Sequence, residues 1–140
     1  MADFPLHPAW YNEAMTEEMS VKQDALPVEP YLAYWRHRQA MQQAQNARLA
    51  EQAHKDARQI AEMLRSRFGV TRVVLFGSLA KGRFETTSDL DLAVAGLAAA
   101  DFFQAAAQAS KLSDFPVDLK PLEALAPHFL AAVLTTGIEI

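Results

Sequence analysis

The sequence predicts a small α/β domain (α+β in its order of elements) preceded by a long helical extension, and three observations carry that prediction. No proline or glycine interrupts residues 31–68, where Ala, Gln, Arg and Glu dominate; this composition favours one long helix or two in tandem. Beyond it, short runs rich in Val and Leu alternate with alanine-rich stretches of helical period, the pattern of a sheet covered by helices. The 140 residues are 51% hydrophobic and 21% charged, which suffices for a single buried core. We place the arm and helical extension at 1–59 and the domain at 60–140.

Taken in order, Met1 to Pro30 holds prolines at positions 5, 8, 27 and 30 with Trp10 and Tyr11 among polar residues. It reads as an irregular arm with one short helix near Tyr11 to Lys22. In the long helix, Ala53, Ala57, Ile60, Ala61, Leu64 and Phe68 recur at helical spacing and should pack on a sheet. Arg36 to Glu51 offers only Met41 and Leu49 as large apolar anchors, so that stretch is either solvated or covered by a partner. For Trp10, Tyr31, Tyr34 and Trp35, docking onto the domain is favoured over an interaction patch. A buried strand follows at Arg72–Phe76, and Ser78 is expected to open a helix. Next come a strand at Leu90–Val94, a helix around Ala99–Ser110 and a strand around Asp118. A last helix near Leu122–Leu134, with Pro127 as a candidate break, stops at Gly137, and Ile138–Ile140 offers an edge strand.

The chemistry lies where the strands end. Gly77-Ser78 is followed after ten residues by Asp89-Leu90-Asp91, and strand alternation puts both carboxylates on one face, roughly 6–7 Å apart along the backbone. Two such carboxylates can converge on a hard cation, and Mg²⁺, which keeps waters and substrate phosphates in its shell, needs few protein ligands beside a nucleotide. Gly77 lets the backbone approach a ligand. The Ser78 hydroxyl and the amides of a first helical turn form an anion site, to which Lys81 and Arg83 could add positive charge. A third carboxylate is available at Asp118, flanked by Val117 and Leu119, although Asp114 stands close enough to compete for the place. Histidines at positions 7, 37, 54 and 128 lack ligand spacing, and none is assigned to catalysis.

This G-S-x10-D-x-D pattern, with the later Val117-Asp118-Leu119 and the closing Gly137-Ile138, resembles the minimal nucleotidyltransferases of the DNA polymerase β superfamily over about Ile60–Ile140. The resemblance implies a polymerase β-like core, a small mixed sheet flanked by helices. It implies that Gly77 and Ser78 hold a nucleoside triphosphate, with Lys81 and Arg83 near its phosphates. Asp89, Asp91 and Asp118 would ligate two Mg²⁺ ions, with Asp118 the candidate base for an attacking hydroxyl and ATP the favoured substrate. One departure is visible: Leu79 stands where many members carry a basic residue. Many members are antitoxins that add AMP to a tyrosine of an all-α HEPN ribonuclease toxin, so the resemblance implies such a partner and an adenylyltransferase activity. The extension before Ile60 is atypical of them and could serve as a partner or homo-oligomer interface. Two other readings stand beside this one: an antitoxin that only binds, with a vestigial site, and a nucleotidyltransferase acting on an aminoglycoside hydroxyl.

Composition narrows the rest. Without cysteine, disulfide frameworks and thiolate metal sites are excluded, leaving a hard-cation site built from aspartates. A net charge of −4 argues against a broad grip on duplex DNA. The amino terminus lacks a signal-like pattern and no apolar run is long enough to span a bilayer, so the expected location is cytoplasmic.

Overall fold

The computed structural model describes residues 28–140; the proposed arm, with Trp10 and the helix expected near Tyr11–Lys22, lies outside the described residues. Helix α1 runs unbroken through Glu29–Phe68, 40 residues, which decides between one helix and two. Pro30 sits in its first turn, where a missing N–H costs nothing, and Glu29 there with Arg65 and Arg67 in the last turn complements the helix dipole. The chain divides into two compact units, Met1–Gln42 and Gln43–Ile140. In the first, Trp35 makes edge-to-face contacts with Tyr31 and Tyr34, at centroid separations of 6.2 and 5.6 Å. All three rings are more than half exposed.

The second unit is built on a four-stranded sheet of order β3-β2-β1-β4. Strand β1 is Arg72–Phe76, β2 Leu90–Ala95, β3 Val117–Pro121 and β4 Ile138–Glu139. Strand β1 pairs antiparallel with β2 and with β4, while β2 and β3 run parallel, making the sheet mixed. Helix α2, Phe102–Lys111, follows a 3-10 turn at Ala99–Asp101. Helix α3, Pro127–Thr136, follows a 3-10 turn at Leu122–Ala124. The two pieces are separate because Ala126, preceding Pro127, is held extended at ψ 147°.

Alternation along the strands sorts the residues into two layers. Val73, Leu75, Leu90, Leu92, Val94 and Leu119 form one core with Ala53, Ala57, Ile60, Ala61 and Leu64 of α1 and Ala105 and Ala109 of α2. The helical spacing read from the sequence therefore marks the face of α1 that meets this core; Phe68, Leu49 and Ala50 are partly buried against it, whereas Met41 is 60% exposed. On the opposite side of the sheet only Val74, Phe76, Ala93, Leu122 and Val133 form a small second cluster. Ala95, Leu125 and Leu130 pack against it, so α3 and the turn before it cover part of that face and the polar residues of β2 and β3 occupy the rest. Among the described residues no helix is long and apolar enough to cross a membrane.

Candidate active site

The open face of the sheet carries the acidic residues. Asp91 lies in β2 opposite Phe76 of β1 on one side and opposite Asp118 of β3 on the other. With Leu90, Leu92 and Leu119 turned into the main core, the alternating Asp91 and Asp118 take the opposite face. Asp89 is exposed at the entrance to β2. The competitor Asp114 sits at an exposed bend before β3, so the residue in register with Asp91 is Asp118. That bend is fixed from below by a buried carboxylate: Asp56 of α1 accepts hydrogen bonds from Gln52 (2.8 Å) and Ser113 (2.7 Å), and Ser113 Oγ accepts the Phe115 amide (3.1 Å). Helix α1 thereby sets where β3 begins.

Gly77 is required by the site. Its φ is +75°, a conformation costly for a residue with a side chain. A Cβ there would fall onto Asp91 Oδ2 and within 2.9 Å of Asp91 Cγ. The Asp91 carboxylate thus lies against bare backbone at the point where β1 turns away.

The helix expected at Ser78 does not form. Residues 77–82 are instead a set of nested turns, closed by Lys81 N–H to the Gly77 carbonyl (3.1 Å), Gly82 N–H to Leu79 (3.3 Å) and Arg83 N–H to Ser78 (2.8 Å). The cause is burial: Leu79 and Phe84, each 3% exposed, are both drawn into the main core, and Phe84 packs edge-to-face on Phe115 at 5.0 Å. Gly82, at φ +72°, turns the chain between them. Leu79, the departure noted in the sequence, is therefore the anchor of this loop. The closing bonds leave the amides of Ser78, Leu79 and Ala80 outside them, available to an anion much as in a helix start. Lys81 and Arg83 are exposed on the same turn, and Ser78 is half-buried. The approach to Asp89 is a second turn, with the Glu85 amide donating to Ser88 Oγ (2.9 Å) and the Ser88 amide to the Glu85 carbonyl (3.0 Å).

Electrostatics mark Asp91 as the centre of the site. Partial burial and the neighbouring charges of Asp118 and Asp89 push its carboxyl from 3.8 up to about 6, with Lys120 pulling in the other direction. Lys120 was not foreseen. It lies two residues beyond Asp118 on β3, hence on the same face, and its Nζ is 3.1 Å from Asp118 Oδ2. The strand period could have revealed it.

The donor chemistry fits a hard divalent cation: three carboxylates, no cysteine in the chain, and a repulsion at Asp91 that a cation would relieve. As the side chains stand, however, no three acidic or histidine groups among the described residues are gathered to enclose an ion. Asp118 faces Lys120 instead.

Comparisons with known proteins bear on the family and the fold. The sequence profile of the polymerase beta nucleotidyltransferase family matches residues 58–140. The chain belongs to this family. A solved minimal nucleotidyltransferase is 31% identical, with a TM-score of 0.57, over 65% of this chain and 95% of that one. A chain of a toxin–antitoxin complex with AMP-PNP is 26% identical, TM-score 0.54, over 59% of this chain and 70% of that one. A complex of tri-AMPylated Shewanella oneidensis HEPN toxin with its MNT antitoxin shares the fold, at 23% identity and a TM-score of 0.50 over 62% and 70%. No curated protein matches the chain. The nucleotidyltransferase thus has the polymerase β-like mixed sheet that its sequence predicts, extended by the long α1.

Proposed function

We propose that this nucleotidyltransferase moves AMP from ATP to a hydroxyl on a macromolecule, and that the acceptor is a tyrosine of an all-α HEPN ribonuclease toxin, which the protein thereby neutralises as its antitoxin. The observation that carries the reading is the set of three aspartates on the open sheet face, with Gly77 cleared of any Cβ so that Asp91 can occupy its place. The resemblance to a toxin–antitoxin complex holding an ATP analogue supports the choice of nucleotide and partner.

In this reading Ser78 and the amides of its turn hold the β- and γ-phosphates, with Lys81 and Arg83 adding charge. Asp89, Asp91 and Asp118 would hold Mg²⁺, which would supply charge stabilisation to the reacting phosphate. Asp118 receives the proton of the acceptor hydroxyl. The acceptor oxygen bonds to the α-phosphorus, the bond from that phosphorus to the bridging oxygen breaks, and pyrophosphate leaves.

The test is incubation with labelled ATP, Mg²⁺ and an all-α protein encoded beside it, followed by intact mass of both chains. AMP units on the partner, lost with Asp89→Ala and Asp91→Ala together, are expected. A tight complex with no change of mass would replace this reading with that of an antitoxin that only binds.

A further inference from the structure

The strands bring Asp118 into register with Asp91, yet the three carboxylates do not close into one group. Asp118 has a charged neighbour on the same strand. Lys120 Nζ lies 3.1 Å from Asp118 Oδ2, the two side chains being 38% and 43% exposed, and the same ammonium also acts on Asp91. Paired in register with Ala93, it stands two residues along β3 from the Asp91–Asp118 pair and on the same face. A cation of the chain itself is thus already paired with one member of the donor set.

We propose that Lys120 is a positioning residue that keeps Asp118 out of the metal cluster until a divalent cation displaces it, so that the third ligand joins last. This rests on the nucleotidyl-transfer reading and deepens it, by assigning an internal counter-ion to the third carboxylate. While the pair holds, Asp118 Oδ2 is engaged by the ammonium, and the same ammonium moderates the repulsion that Asp118 and Asp89 exert on Asp91. Entry of the cation exchanges one partner of Asp118 for another, and the freed ammonium remains on the face where phosphates arrive. The pair is half-exposed, so its grip is modest; exposed pairs of this kind alter an equilibrium by up to about fivefold. That is enough to weight the order of events without blocking it.

The experiment measures Mn²⁺ affinity of the whole chain by electron paramagnetic resonance, with and without a non-hydrolysable ATP analogue. Lys120→Met should bind Mn²⁺ about two- to fivefold tighter than wild type. Lys120→Arg, which keeps the charge and grips a carboxylate with two N–H groups, should bind it no tighter or more weakly. Lys111→Met, on α2 and facing a different groove, removes the same net charge and should leave affinity unchanged. Equal affinity in Lys120→Met and wild type, or equal tightening in Lys111→Met, overturns the role of Lys120 while leaving nucleotidyl transfer standing. A wild-type protein that binds no Mn²⁺ under either condition overturns both.

Discussion

The two faces of the sheet are made from alternate residues of the same strands and serve opposite ends. On the closed face Leu90, Leu92 and Val94 of β2 are fully buried beneath α1 and α2. On the open face Asp91 shares β2 with Ala93, and the charged row continues across β3 through Asp118 and Lys120. The closed face stabilises the fold by removing apolar area from water. The open face holds like charges together at a cost, visible in the raised Asp91 carboxyl. Stability and chemistry are thus separated by a single residue step along one strand.

That contrast can be broken from either side. The largest effect is expected from Asp89→Asn with Asp91→Asn, which should lower AMP transfer on the order of a thousandfold by removing several kcal/mol of charge stabilisation, while the circular dichroism spectrum stays native. On the closed face, Leu92→Ala should cost about 3 kcal/mol in urea unfolding through the cavity it leaves; a loss below about 1 kcal/mol would mean the layer is looser than its burial implies. Gly77→Ala tests the boundary between faces. Left-handed backbone alone costs roughly 1–2 kcal/mol, and the displaced Asp91 carboxylate should reduce turnover at least tenfold; wild-type turnover in this variant would sink the role given to the glycine.

The smallest effect has the opposite sign. Because the folded-state pKa of Asp91 is raised, from 3.8 to about 6, the folded protein binds more protons than the unfolded chain between those values. Its stability therefore falls as pH rises through that window and stays lowered above it. Asp91→Asn should raise the melting temperature of the metal-free protein by roughly 2–5 °C at pH 7.5, and the gain should fade towards pH 4. Differential scanning fluorimetry across that range is the check, with an unchanged or lower melting temperature at pH 7.5 counting against charge repulsion in the site.

Much of this was legible in the chain because strand alternation is a local rule. Asp89-Leu90-Asp91-Leu92 and Val117-Asp118-Leu119 state which side chains share a face before any packing is known, and the helical spacing from Ala53 to Leu64 states which side of α1 is covered. The loop after Gly77 was not legible. Serine after glycine is a reasonable helix start, but burial of Leu79 and Phe84 against residues distant in sequence bends the segment into turns. Lys120 was overlooked for a different reason: the motif draws attention to acids, whereas the period that placed Asp118 placed the lysine with it. The aromatic residues near the start of α1 were expected to be covered, and amphipathic rings at helical spacing do not by themselves say by what.

Strand β3 sits at the border of the sheet, bracketed by Pro116 and Pro121, and its pairing with β2 aligns Asp91 with Asp118 and Leu92 with Leu119 in one register. A slip of one residue would bury the aspartate and the lysine and turn Val117 and Leu119 towards water, while proline at each end leaves fewer amides to recruit a foreign strand. Correct assembly of the reactive group and correct assembly of the hydrophobic layer are consequently one event. In the proposed reading a mispaired copy would not bring Asp118 beside Asp91, so nucleotidyl transfer would report native strand order.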